Sequence, residues 1–268
     1  DLDHTVINSD GTMSDATRTV IEQAIAEGIE IVPVSGRAFA TFPESIGQIK
    51  GISYAVTSNG AAIYNKKTGE RIHGVAIEYA DLHSILDAFA HYFHNGQITY
   101  EAFVDGVAYG GREYVEHPET FGVPERNVAY VQSTRKPVDD IIAFLSEHEE
   151  ELDSLDIVAA DTALYQKIEE QIPLVTKSVY TTSAVSYRLE ISHKNSGKAT
   201  GLAYVLKLLD ITPEETVAFG DGDNDAEMLE FAGLGVAMEN ATENCKAAAD
   251  IVCDCCKNDG VARFLYGF

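Results

Sequence analysis

Basic residues are scarce in this chain: 19 Lys and Arg stand against 43 Asp and Glu, for a formal net charge of −24 and a pI near 4.5. That balance argues against a nucleic-acid partner, because gripping a phosphate backbone takes clustered cations. A small phosphorylated ligand is not excluded, but it would need a local device: a metal ion, a helix N-terminus or a few placed cations. Long apolar runs are also lacking. None approaches the roughly 20 residues that span a bilayer, so no membrane partner is expected. No secretory leader is visible at the start, which is Asp1 rather than Met. Cysteine is limited to Cys245, Cys253, Cys255 and Cys256. The last three crowd together, a poor disulfide framework that fits a reducing, cytoplasmic setting. They also lack the second ligand pair that a closed zinc site needs, so Ile251 to Cys253 reads as a short buried strand running into a loop. Internal repeats and low-complexity tracts are absent too.

What is present is 268 residues with 45% hydrophobic content, enough for one large domain or for a core with an insertion. From Ser14 to Glu27, Ala16, Val20, Ile21, Ala24 and Ile25 recur at helical spacing, with Ser14 as N-cap and Gly28 as stop. Ile29 to Val34 reads as a buried parallel strand, followed by a helix near Phe39 to Ile49 and a strand at Ile52 to Val56. This alternation predicts a doubly wound parallel α/β sheet. After Ala61 the pattern changes to a hairpin (Ala61 to Tyr64, Ile72 to Ile77) and then a helix over Asp81 to Phe93. Strands are expected at Ile98 to Val104, Val107 to Tyr109, Val128 to Val131, Ile157 to Ala160 and Tyr187 to Ile191, with a helix at Val138 to Glu150. Residues 80–186 thus read as an α+β domain inserted into an α/β core of residues 1–79 and 187–268. The core pattern resumes with helices at Ala199 to Leu209, Ala226 to Phe231, Thr242 to Ala249 and Gly260 to Leu265, and strands at Val217 to Phe219 and Leu234 to Met238.

Four segments lie where a parallel strand meets its loop, the edge at which open α/β sheets place ligands. In Asp1-Leu2-Asp3-His4-Thr5-Val6, two carboxylates two residues apart project to one side of an extended chain. One can attack an electrophile while the other handles a proton; alone, the pair is equally the pattern of a solvated acidic segment. Ser35-Gly36-Arg37 offers a hydroxyl and free backbone N–H groups to phosphate oxygens, or is an ordinary turn. Lys198, just ahead of a helix, could neutralise a phosphate and an attacking carboxylate together, with Lys194 as a rival. Gly220-Asp221-Gly222-Asp223-Asn224-Asp225 gathers three carboxylates and an amide that repel unless a hard cation or hydrogen bonds compensate. It is not a calcium loop of the twelve-position kind: position twelve from Asp221 is Ala232, where a Glu should close it.

Taken in order, these segments resemble the haloacid dehalogenase superfamily, specifically the Cof-like phosphatases with a large inserted cap. The first is similar to D-x-D-G-T-L, the second to T/S-G-R, Lys198 to the motif lysine, and the fourth to G-D-x-x-N-D. Asn59-Gly60-Ala61, Gly235-Val236-Ala237-Met238-Glu239-Asn240-Ala241 and Gly260-Val261-Ala262 echo the same family. The resemblance implies Mg²⁺ held by the carboxylates of Asp1 and Asp221 and the backbone carbonyl of Asp3. It implies Asp1 as nucleophile, Asp3 as acid and base, and phosphate contacts from Lys198, Ser35 and the N–H groups of Leu2 and Gly36, with Asn224 contacting the phosphate or fixing the Asp221 loop. Asp225 is expected to support these groups rather than bind the metal. The cap is expected to close over the site and choose the leaving group. The implied activity is hydrolysis of small phosphate monoesters, sugar phosphates by default, by a monomer or small homo-oligomer. A phosphomutase acting on sugar phosphates and a non-catalytic phosphometabolite-binding protein are the alternatives. His4 departs from the family's Gly, and Ala199 from the Gly that often follows the motif lysine. An apolar strand is expected ahead of Asp1. In the insert, Tyr100, Phe103, Tyr109 and Tyr114 read first as core and second as a specificity pocket. His91 and His94, three apart on a predicted helix, read first as a solvated helix face and second as a metal-binding pair, and Glu147 to Glu151 as an exposed helix end.

Overall fold

The computed structural model describes residues 1–266 and divides into two compact units. One comprises Asp1–Arg37, Phe42–His73 and the residues from Gly197 onward; the other comprises Ala38–Thr41 and Gly74–Ser196.

In the first unit the strands Val217–Gly220, Leu234–Met238 and Ile251–Cys253 form a parallel sheet in that order. Each is joined to the next by a short helix, Ala226–Phe231 or Glu243–Ala247, the arrangement a run of βα units dictates. Helix Asp15–Ala26 starts where Ser14 Oγ accepts from Thr17 N–H at 3.0 Å, and Gly28 (φ +89°) turns the chain away at its end. Ile29 to Val34 follows as an extended stretch with a single parallel bridge, Val34 to Val56. Strand Tyr54–Thr57 then pairs antiparallel with Ala62–Asn65, and Arg71–Gly74 completes a second small sheet. Val34, Val56, Leu202, Val205, Met228, Leu229 and Ala237 make the core between these strands and helix Lys198–Leu209. An apolar cavity of about 540 Å³ lies between the Ile29 to Val34 stretch and strand Val217–Gly220, with Leu202, Leu206 and Val261 also on its wall.

The second unit is built on one six-stranded sheet. Its order is Arg135–Val138, Val107–Gly111, Ile98–Val104, Leu152–Ala159, Arg188–His193, Val179–Val185. Alternation along the strands separates its faces. Tyr100, Ala102, Leu155, Ile157, Leu189 and Ile191 pack on helices Tyr79–His94, Ile141–Glu147 and Thr162–Val175. The intervening positions place Glu101, Asp156, Arg188 and Glu190 on the opposite face, where Arg135 donates to Glu101 through Nε at 3.0 Å and Nη2 at 2.7 Å. Tyr100 and Tyr114 are fully buried and belong to the core. His91 and His94 are exposed, their rings tilted beside Tyr92 and edge-on to Phe93 respectively.

The structure corrects several sequence expectations. Val128 to Val131 is not a strand but part of helix Glu125–Thr134, which puts Val128 and Val131 on one face against Tyr114 and Phe121. The helix expected near Phe39 to Ile49 is broken by Pro43 into a 3₁₀ turn, Phe39–Thr41, and a single turn, Glu44–Gly47. The helix expected over Val138 to Glu150 shrinks to Ile141–Glu147, because Arg135–Val138 is an edge strand and Asp140 caps the helix. Residues 188–193 hydrogen-bond on both sides within the six-stranded sheet, and the second unit runs from Gly74 to Ser196 together with Ala38–Thr41.

Candidate active site

The first loop is wound tightly by one carbonyl: Leu2 O accepts from the N–H groups of Thr5 (3.3 Å), Val6 (3.1 Å) and Ile7 (2.8 Å). That turn takes His4 to φ +60° and carries Asp1 and Thr5 to one side. The Asp1 nitrogen donates to Phe219 O at 2.8 Å, which lays Asp1 alongside strand Val217–Gly220 and next to the loop that follows it. The two acidic segments, 220 residues apart in sequence, are therefore neighbours. Thr5 Oγ1 joins them, lying 3.0 Å from Asp1 Oδ2 and 3.3 Å from Asp221 Oδ1.

Lys198 opens helix Lys198–Leu209 and is 3% exposed. Its Nζ donates to Asp1 Oδ1 at 2.8 Å and to Asp225 Oδ1 at 2.7 Å, whereas the rival Lys194 is exposed. Asp225 is fully buried, and its second oxygen accepts the N–H groups of Asp221 and Gly222, both at 3.0 Å. Burial opposes its ionisation, but the Lys198 charge and these donors hold its carboxyl below the usual range. Asp221 shows the reverse. Burial, then the charge of Asp225, pushes its carboxyl up to about 6. Asp223 turns outward to accept from Thr242 Oγ1 at 2.5 Å and stands apart from the cluster.

Carboxylate oxygens of Asp1, Asp221 and Asp225 lie within 4.8 Å of one another. Three acids crowd around one ammonium, and at Asp221 burial and, after it, the charge of Asp225 both oppose ionisation. A hard divalent cation fits this donor set: oxygen ligands, two of them only partly buried, with room left for water.

Asp3 is held differently. Arg37 grips it with a two-point fork, Nε to Oδ2 and Nη2 to Oδ1, each 2.7 Å. Burial works against the Asp3 charge, but the fork outweighs it and keeps the carboxyl below its ordinary value. Ser35 is buried at the end of the extended stretch, its Oγ accepting from Arg37 N–H at 3.2 Å. Ser35 and Gly36 thus join the acids through Arg37 and Asp3. The Leu2 side chain packs in the core with Ile7, Ile21 and Ile46. Asn224 is buried and donates through Nδ2 to Asn59 Oδ1 at 3.0 Å.

Sequence reasoning did not single out Thr5, Arg37, Asn59 or Asn240. Thr5 and Arg37 stood inside quoted motifs, and their polar side chains beside an acidic pair were the available signal. Asn240 donates to His4 O at 3.0 Å and lies 3.4 Å from Asp221 Oδ2, with its Oδ1 accepting from Cys256 N–H. It stands in the quoted Gly235 to Ala241 segment, as Asn59 does in Asn59-Gly60-Ala61, and those segments were given no role for either side chain.

The model of the haloacid dehalogenase-like hydrolase family matches residues 1–265. The chain belongs to the haloacid dehalogenase-like hydrolases. It is therefore an enzyme, and its fold is that family's α/β core. Among curated relatives, it is 30% identical over 289 residues to Phosphatase YwpJ of Bacillus subtilis, covering 99% of this chain and 96% of that protein. It is 27% identical over 267 residues to the 5-amino-6-(5-phospho-D-ribitylamino)uracil phosphatase YcsE of the same organism, covering 99% and 92%. A solved haloacid dehalogenase-like hydrolase from B. subtilis superposes with a TM-score of 0.82 at 26% identity, covering 98% of this chain and 97% of that one. No described helix of this family member is long and apolar enough to cross a membrane.

Proposed function

We propose that this hydrolase is a Mg²⁺-dependent phosphatase that transfers the phosphoryl group of a small monoester to Asp1 and then to water. The observation that carries this reading is the buried Lys198, which bridges Asp1 and Asp225 beside a third carboxyl, Asp221, that burial and the charge of Asp225 push up to about 6. Asp1 and Asp221 through their carboxylates, and Asp3 through its backbone carbonyl, would hold the metal, which supplies positive charge to the phosphoryl oxygens. Lys198 adds a second positive charge there, its Nζ donating to Asp1 Oδ1 at 2.8 Å. Ser35 Oγ, Asn224 and the N–H groups of Leu2 and Gly36 are the further phosphate contacts.

In the first half-reaction an Asp1 oxygen bonds to phosphorus in line as the bond to the leaving oxygen breaks, and Asp3 gives that oxygen its proton. In the second, Asp3 takes a proton from water, the water oxygen bonds to phosphorus, and the Asp1–phosphorus bond breaks. The Arg37 fork suits Asp3 to the second step, because it holds the carboxylate ionised. For the first step the fork has to open so that Asp3 can carry a proton. Choice of substrate is assigned to the inserted residues. A phosphorylated sugar or polyol is the expected class, and the ribityl phosphate named for YcsE is one such compound.

The test is release of inorganic phosphate from para-nitrophenyl phosphate and from a panel of phosphorylated metabolites, with acid quenching to trap labelled protein. Wild type should release phosphate without a second acceptor, lose activity in EDTA and regain it with Mg²⁺. Asp1→Asn should lower kcat at least about 10³-fold, in the range seen when a nucleophile is removed, and Asp3→Asn should accumulate label on Asp1. Full turnover by Asp1→Asn would end this reading.

A further inference from the structure

Ser58, Asn59 and Gly60 have φ of +49°, +50° and +88°, three successive residues in the left-handed region. Glycine enters that region freely and asparagine tolerates it; serine does not. Such a turn persists only where its surroundings over-determine it. Here the surroundings are the segments that carry the site. Ser58 N–H donates to Arg37 O at 3.0 Å and Asn59 N–H to Ser35 O at 3.1 Å, fixing the loop that presents Ser35, Gly36 and Arg37. Gly197 N–H donates to Asn59 O at 2.7 Å, fixing the start of the Lys198 helix. Asn224 Nδ2 donates to Asn59 Oδ1 at 3.0 Å, reaching the turn that carries Asp225. The approach is close enough that a Cβ on Gly60 would sit 2.0 Å from Gly197 O.

We infer that Asn59 is a positioning residue for phosphoryl transfer. Its backbone sets the spacing of the Ser35 loop and the Lys198 helix, and its side-chain carbonyl orients the Asn224 amide. One N–H of that amide is committed to Asn59, which leaves the other for a phosphoryl oxygen. The inference rests on the reading of Asn224 as a phosphate contact, so Asn224→Ala is part of the test.

Asn59→Gly separates the two duties of the side chain. Glycine satisfies every backbone demand of the turn but removes the acceptor; Asn59→Asp keeps both the acceptor and the left-handed tolerance. Asn59→Gly should stay folded with at most a modest fall in Tm, and lose about 10- to 100-fold in kcat with little change in KM. Asn59→Asp should stay within a few-fold of wild type. The double variant Asn59→Gly/Asn224→Ala should be no slower than Asn224→Ala alone, since both remove one device. Wild-type kcat in Asn59→Gly overturns the inference, and so does a fall in Tm with full activity per folded molecule, which would make the side chain structural only. Wild-type activity in Asn224→Ala, with normal Asp1→Asn loss, removes the premise about Asn224 and overturns the inference while leaving the phosphatase reading intact.

Discussion

His4 occupies φ +60° in the turn between Asp3 and Thr5, where the family pattern has glycine. A left-handed conformation costs an L-residue about 1–2 kcal/mol, offset in part by the greater freedom glycine loses on folding. The His4 contacts that build the turn are made by its backbone: N–H to Ile7 O at 2.7 Å, and O from Asn240 Nδ2 at 3.0 Å. His4→Gly should therefore keep the loop and stabilise the protein by roughly 0.5–1 kcal/mol, read as a higher urea midpoint at unchanged m-value. His4→Ala, which keeps the strain, should give no such gain; equal midpoints for the two variants would refute the strain argument. The imidazole has an electrostatic consequence as well: when protonated it favours the charged forms of Asp3 and Asp221. The side chain is thus available for a role that the backbone does not need.

At the scale of elements, the sequence was most readable where local chemistry decides. The Ser14 cap, the Gly28 stop and the run at Val217 to Phe219 each fall within a residue or so of the structural boundary. Legibility failed where a short apolar set fits two periods: Val128 and Val131 sit three apart, and only packing on Tyr114 and Phe121 makes that spacing helical. The polar strand Val179–Val185 escaped notice for want of a clear period, and helix Thr162–Val175 was missed although Asp161 caps its start. In the site, Asp221 and Asp225 were legible because they follow strand Val217–Gly220, and Asp1, Asp3 and Lys198 because they fall in motif order along the chain. The Arg37 fork, the Thr5 bridge and the Asn59 turn were not, since they depend on tertiary approach and on φ. The same holds for the buried charges of the six-stranded sheet. Glu101, Asp156 and Glu190 there share Arg135 and Arg188, one acid in excess. Asp156 is raised well above the usual range by burial, despite the opposing charge of Arg188, while Glu101 is held down by its arginines against burial. A carboxyl protonated in the native state but ionised when unfolded binds more protons folded than unfolded. Stability therefore falls as pH rises above about 4, by up to about 1.4 kcal/mol per pH unit, until the native group ionises. Asp156→Asn removes this cost while keeping an acceptor for Ser154 Oγ. Urea melts at pH 5 and pH 8 should show a smaller pH-dependent loss in the variant than in wild type; parallel losses would place the excess charge elsewhere.

At the scale of the whole molecule, the net charge of −24 sets a background on which the site is a local extreme. Self-repulsion of that size destabilises a compact state, and any salt relieves it by screening. Mg²⁺ should do this and more, because a cation bound only by the folded protein adds RT ln(1 + [L]/Kd), about 2.7 kcal/mol at a hundred times Kd. For a chain of this length that corresponds to a Tm increase of about 5–10 °C, beyond the increase from NaCl at matched ionic strength. The excess should depend on pH with a definite sign. Asp221 must lose its proton to bind a cation, and its carboxyl stands at about 6 without one. Metal therefore competes with a proton below that value and not above it, so the Mg²⁺-specific increment should be larger at pH 7.5 than at pH 5.5. Asp221→Asn should abolish the specific increment at both values while the NaCl increment survives, since removing one acid of 43 barely alters the background. Scanning calorimetry of wild type and Asp221→Asn in both salts checks this without any substrate. Equal increments from Mg²⁺ and ionic-strength-matched NaCl in wild type would mean that Asp1, Asp221 and Asp225 lie together without binding a cation.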